Sequence, residues 1–166
     1  MCREGVKTIK RKSPEEALSS LMRQCARAEK SSGDALRLMY RWGVDPEHRS
    51  EVLERLIADK FIDDRRYAEA YVREKLNLSG WGTRKIASSL KAKKISDSII
   101  TEVLSQIDHS STEERLRTKI ERKIKIVKYK DIYDLKNKLI RYGISLGYDY
   151  SMIQNVVSQI ITIEDE

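Results

Sequence analysis

Three short junctions recur along the chain at intervals of about fifty residues: Gly43-Val44-Asp45, Lys94-Ile95-Ser96 and Gly147-Tyr148-Asp149. Each joins a residue that can close one helix to an apolar residue and then to a side chain that can open the next. Glycine accepts the left-handed conformation at a helix C-terminus, and Asp or Ser caps the following helix through its side-chain oxygen. Pro46 is pre-set for a first helical turn. The residues around the junctions match as well. Eight positions after the apolar residue stand Val52, Val103 and Val156, and at twelve Leu56, Ile107 and Ile160. Nine positions before it stand Ala35, Ile86 and Leu139; at five before, Met39 and Leu90 give way to Gly143. Positions so spaced fall on one face of an α-helix, which predicts a helix, a tight turn and a second helix three times over.

A further apolar stripe precedes each pair. Ala17, Leu18, Leu21, Met22, Cys25 and Ala26 form the first, Tyr67, Ala68, Tyr71, Val72 and Leu76 the second, and Leu116, Ile120, Ile124 and Val127 the third. Ser13-Pro14-Glu15-Glu16 reads as a capping box, Ser110 or Ser111 with Glu113 or Glu114 as another, and Asp63 or Asp64 can cap the middle helix. With seven glycines and two prolines in 166 residues, an all-β fold lacks its turns. The expected fold is all-α: three tandem three-helix repeats forming an elongated, curved helical array. A unit this small buries little surface alone, so stacking must supply the rest. The expected divisions are a disordered basic tail at 1–13, repeats at 14–63, 64–109 and 110–162, and an acidic tail at 163–166.

The chain carries a net charge of +7, unevenly spread. The first repeat is net acidic, whereas Arg115 to Lys130 holds eight basic residues and one acid, Glu121. Such a strip is either a solvated helix face or a surface for a polyanion. Cys2 and Cys25 make no disulfide framework, no run is apolar enough to span a membrane, and the N-terminus lacks the apolar core of a signal peptide, so a cytoplasmic monomer is expected.

The stretch from Leu56 to Arg73, with Phe61, Asp63-Asp64-Arg65-Arg66 and Tyr67-Ala68, resembles the signature of the RecX family. Trp81-Gly82-Thr83-Arg84-Lys85-Ile86, Leu90 to Ile95, and Gly147-Tyr148 are similar to that family's later motifs, and the resemblance spans roughly residues 14–162. It departs at Lys94, where the family commonly has glycine, and at Leu146, where it often has arginine. The resemblance implies a non-enzymatic regulator of the recombinase RecA, acting in DNA repair and the SOS response. Members lie in the groove of the RecA–DNA filament and usually inhibit its ATPase and strand exchange; several also bind single- or double-stranded DNA.

The candidate contact residues are basic, with one aromatic. Arg65, Arg66, Arg73, Arg84, Lys85, Lys91 and Lys94 could form a patch on the central unit, with Arg84, Lys91 and Lys94 on one helix face. Arg115, Lys119, Arg122 and Lys123 share a flank of the third unit's first helix. Trp81, between Gly80 and Gly82, is either a lid over the junction between repeats or an exposed contact. Tyr67 and Tyr71 read as core. Asp63-Asp64 reads as a cap; as a metal site it lacks a third ligand at suitable spacing. His48 and His109 are isolated, and the chain has no phosphate loop and no nucleophile elbow, so neither catalytic residues nor a cofactor are expected. The alternative is a direct DNA-binding protein using one unit as a helix-turn-helix, which would read base edges through side chains such as Asn, Gln and Arg. A nuclease is a distant third reading.

Overall fold

The computed structural model describes residues 11–164. Its described residues form nine α-helices and no strand: α1 (Pro14–Cys25), α2 (Ser32–Arg41), α3 (Pro46–Ala58), α4 (Asp64–Glu74), α5 (Thr83–Ala92), α6 (Asp97–Ser105), α7 (His109–Ile124), α8 (Ile132–Leu146) and α9 (Tyr150–Glu164). Helix α4 widens into one π turn at Lys75–Ser79 before Gly80 ends it in the left-handed conformation. The sequence pattern does not announce that turn. The described residues divide into two compact units, the first running to residue 67 with 93–95, the second 68–92 with 96 onward.

The recurring junctions do what their residues suggest. Gly43, Lys94 and Gly147 all take positive φ, at 66°, 65° and 86°. Val44, Ile95 and Tyr148 behind them are buried, and the side chains of Asp45 and Ser96 accept N–H groups of α3 and α6. Lys60, with φ 59°, closes α3 in the same way. Ser13 and Glu16 complete the first capping box. The second proposed box is corrected: α7 begins earlier, with Asp108 accepting the Ser111 N–H at 2.8 Å. A carboxylate in the right place displaces the serine as cap.

The first unit closes over Ala17, Leu21, Ala35, Met39, Val44, Val52, Leu56 and Ile62, with α3 packed on both α1 and α2. Ala26 lies past the end of α1 and is exposed, so it leaves the expected stripe. In the second unit α7, α8 and α9 pack mutually around Leu116, Ile120, Leu135, Leu139, Ile153 and Val156, while α5 packs on α6. Gly143 now has a reason: a Cβ there would lie 2.8 Å from Ile153 Cγ1 of α9, so the side chain of Ile153 occupies the space a larger residue would need. Of the basic tail at 1–13, residues 1–10 lie outside the described residues, as do 165–166 of the acidic tail. Lys12 is fixed by its N–H to the Trp42 carbonyl and by its ammonium, 3.7 Å from the Trp42 ring centre. No helix of the described residues is long and apolar enough to cross a membrane.

Candidate polyanion-binding surfaces

In the first unit the middle motif is partly architectural. The Asp63 carboxylate accepts the Arg66 N–H at 3.0 Å, and Asp64 accepts the Ser32 N–H at 2.7 Å, so both acids cap helices. Among the described residues no three His, Cys, Asp or Glu side chains gather as metal ligands. The Arg66 guanidinium grips Glu29 with two hydrogen bonds of 2.7 and 3.1 Å, and that bond, more than any other contact, raises its pKa. Arg65 is exposed beside it. Tyr67 is buried, as expected, and Tyr71 half-buried. Lys94 lies beyond the last residue of α5, in the left-handed turn. The helix therefore ends before the face expected to hold Arg84, Lys91 and Lys94 is complete.

In the second unit the start of α5 is laid directly against the end of α8. The Gly82 N–H donates to the Leu146 carbonyl at 2.7 Å and the Arg84 N–H to Gly147 at 3.1 Å. Lys85 Nζ adds a bond to the Ser145 carbonyl at 3.1 Å. Unpaired N–H groups at one helix start thus meet unpaired carbonyls at another helix end, satisfying both and setting the dipoles head to tail. Only glycine permits this approach, because a Cβ on Gly82 would sit 2.3 Å from the Gly147 oxygen. A matching arrangement stands in the first unit, where Ser31 Oγ donates to the Lys93 carbonyl at 3.3 Å and a Cβ on Gly33 would lie 2.1 Å from that oxygen.

Trp81 rides on this junction. Its ring is half-buried, with Lys85 Nζ 4.5 Å and Lys75 Nζ 5.3 Å from its centre. Arg84 is exposed, its Nε 3.6 Å from Asp149, and Lys91 is exposed 3.1 Å from Asp97. The buried Tyr148 donates its hydroxyl to the Gly80 carbonyl at 3.2 Å, and burial raises its pKa.

The expected basic flank of α7 separates into two groups with different surroundings. Arg115 bonds Ser111 at 3.0 Å and Asn77 at 3.4 Å, and Lys119 runs across Gly80 to the Ser79 carbonyl at 3.4 Å. Both are half-buried and close the π turn. Lys123 lies half-buried over the Tyr142 ring at 5.2 Å, leaving Arg122 exposed and without an ion pair among the described residues. Arg73 and Arg115, far apart in sequence, line one cleft of about 430 Å³ with Glu69, Asn77, Gln106 and Asp108. Sequence reasoning passed over Lys75, and over four large side chains left in solvent around the α7–α8 turn, Ile126, Tyr129, Ile132 and Tyr133. The signal for the latter was present in the alternation of lysine with apolar and aromatic residues from Lys125 to Tyr133.

Residues 63–104 match a family model described as the second three-helix domain of RecX. The chain is 33% identical over 152 residues to the regulatory protein RecX of Clostridium botulinum strain Alaska E43, covering 90% of this chain and 69% of the relative. It is 32% identical to that of strain Eklund 17B, covering 98% of this chain and 70% of the relative. The crystal structure of RecX from Lactobacillus salivarius superposes with a TM-score of 0.78 at 20% identity, covering 90% of this chain and 97% of that one. A second crystal structure, of regulatory protein RecX, gives 0.81 at 20% identity, covering 86% and 72%. The chain belongs to the RecX family of regulatory proteins.

Proposed function

We propose that this chain is a non-catalytic regulator that binds the filament of a RecA-type recombinase on DNA in the cytoplasm and restrains its ATPase and strand exchange. The observation that carries the reading is where the charge remains exposed. Hydrogen bonds within the fold engage Arg66, Lys85, Arg115 and Lys119, while the side chains of Arg73, Arg84, Lys91 and Arg122 are exposed, Arg84 and Lys91 each beside one exposed carboxylate. Rigid helices that present cations on their surface suit a long polyanionic partner better than a small substrate. Three repeats bounded at 14–63, 64–109 and 110–162 would offer several such contacts along one filament. Regulation then requires tighter binding to one filament state than to another, because a ligand shifts an equilibrium only through differential affinity.

The test is ATP hydrolysis by the recombinase on single-stranded DNA with the chain added. Inhibition is expected near one copy per few recombinase subunits, and it should be lost when Arg122 is reversed as Arg122→Glu. No effect at a several-fold excess overturns the reading. Lys85 and Lys119 are poor choices for charge reversal, since each anchors a backbone carbonyl and its loss disturbs the fold as well. Tight, salt-resistant binding to one duplex sequence would favour the helix-turn-helix alternative instead.

A further inference from the structure

The turn joining α7 to α8 is held firmly, yet it leaves its large side chains outside. Lys138 Nζ donates to the Lys128 carbonyl at 2.9 Å and to Asp134 at 2.7 Å; Asp134 in turn accepts the Lys130 N–H at 3.1 Å. Asp131 caps α8 by accepting the Asp134 N–H at 2.8 Å. Val127 packs inward against the core of the third repeat. With the backbone so fixed, Ile126 is 75% exposed, Tyr133 74%, and Tyr129 and Ile132 49% each. Lys125 and Lys128 are exposed between them and have no ion pair among the described residues. Of the two nearby carboxylates, Asp134 is neutralised by its pair with Lys138, which leaves Asp131 alone to offset these charges.

We propose that this turn is a stacking platform for a single-stranded polynucleotide, with Tyr129 and Tyr133 as the surfaces for bases and Lys125, Lys128 and Lys130 as the contacts to phosphate. Exposed rings interleaved with cations are what a strand with splayed bases requires, and the arrangement asks for no particular sequence. The core of a protein–protein contact is instead depleted in lysine. Duplex DNA hides the faces of its bases, which leaves the tyrosines idle there. Because the backbone is fixed in advance, little ordering opposes binding. The assignment takes its polymer from the filament reading and rests on it for context. The measurement contains no recombinase, so a failed filament assay and a failed strand assay are separate results.

The test is fluorescence anisotropy of the full chain with labelled oligothymidylate, with a duplex of the same length, and with phosphatidylserine vesicles in competition. Tyr129→Ala and Tyr133→Ala should each weaken oligothymidylate binding about fivefold or more, and Tyr129→Phe and Tyr133→Phe should restore it. Duplex binding should change little in all four. Lys125→Gln with Lys128→Gln should weaken strand and duplex alike, and should lower the single-strand salt slope by about 0.7 for each phosphate no longer neutralised. Alanine variants that bind oligothymidylate as the parent does overturn the proposal, as does equal weakening on the duplex. Retention on vesicles without affinity for oligothymidylate overturns it too, and assigns the turn to an anionic lipid surface.

Discussion

Substituting Gly82 by alanine tests the junction on which the second unit is built. The new Cβ would lie 2.3 Å from the Gly147 oxygen, 2.4 Å from its carbon and 2.5 Å from the Tyr148 nitrogen, all backbone atoms with no rotamer to escape into. Relief requires the start of α5 to move away from the end of α8. That motion stretches the 2.7 Å bond from Gly82 to Leu146 and the 3.1 Å bond from Arg84 to Gly147. Losing two such bonds costs about 2 kcal/mol, and accommodating the added atom costs about 1–3 kcal/mol. Alanine recovers about 0.4–1 kcal/mol by stiffening the unfolded chain. The net expectation is a loss of about 3 kcal/mol. Tryptophan fluorescence reads it cleanly, because the chain has two tryptophans, Trp42 and Trp81, one in each unit. In a Trp42→Phe background, urea unfolding followed at Trp81 reports the second unit, and exposed Ser88→Ala should stay within about 0.5 kcal/mol of the parent. A Gly82→Ala loss below about 1 kcal/mol would refute the close-approach argument.

The other expectations are smaller. Lys94→Gly and Lys60→Gly should each stabilise the first unit by about 0.5–1 kcal/mol in urea unfolding, since a left-handed L-residue costs about 1–2 kcal/mol and glycine returns part of the gain as chain entropy. The hydrogen bond from Lys138 holds the Asp134 carboxyl below its ordinary 3.8, so the stability it adds is present above about pH 4 and disappears as pH falls through the lowered folded-state value. The stability difference between the parent and Asp134→Asn, measured by urea unfolding across pH, should therefore shrink toward zero in acid. Burial raises the pKa of the Cys25 thiol, so its alkylation by iodoacetamide at pH 8 should run slower than that of glutathione.

Helix existence was legible in the sequence because a local code carries it: capping residues, left-handed closers and apolar spacing act within a few residues of one another. Asp108 shows the edge of that code, since it and Ser110 or Ser111 are all good caps and only the path of α7 decides between them. The π turn after Glu74 was not legible. It is held by Lys119 and Tyr148, which reach Ser79 and Gly80 from the third repeat, and no local pattern encodes a partner so distant. Gly82 carried a visible oddity, a second glycine two residues after Gly80, but its reason lies in the oxygen of Gly147. Tyr129 in the turn and Tyr133 at the start of α8 were equally readable as core or as surface, because so short a stretch has no periodicity that assigns a face.

The same long-range contacts change what the net charge means. A lysine that bonds a carbonyl at a helix end, as Lys85 does at Ser145, keeps its charge but commits its donors to the fold, and leaving that site requires breaking a hydrogen bond worth about 1.5–3 kcal/mol. A lysine such as Lys128 faces water and exchanges only solvent and counterions for a phosphate. Both count equally in a charge of +7, yet only the second kind contributes readily to counterion release. The salt dependence of binding should therefore follow the exposed cations of the α7–α8 turn and of Arg122. Lys85 and Lys119, whose ammonium groups bond backbone carbonyls, should appear instead in the unfolding free energy. A partner's affinity and the fold's stability thus draw on separate subsets of one basic composition, which lets mutagenesis alter one while leaving the other in place.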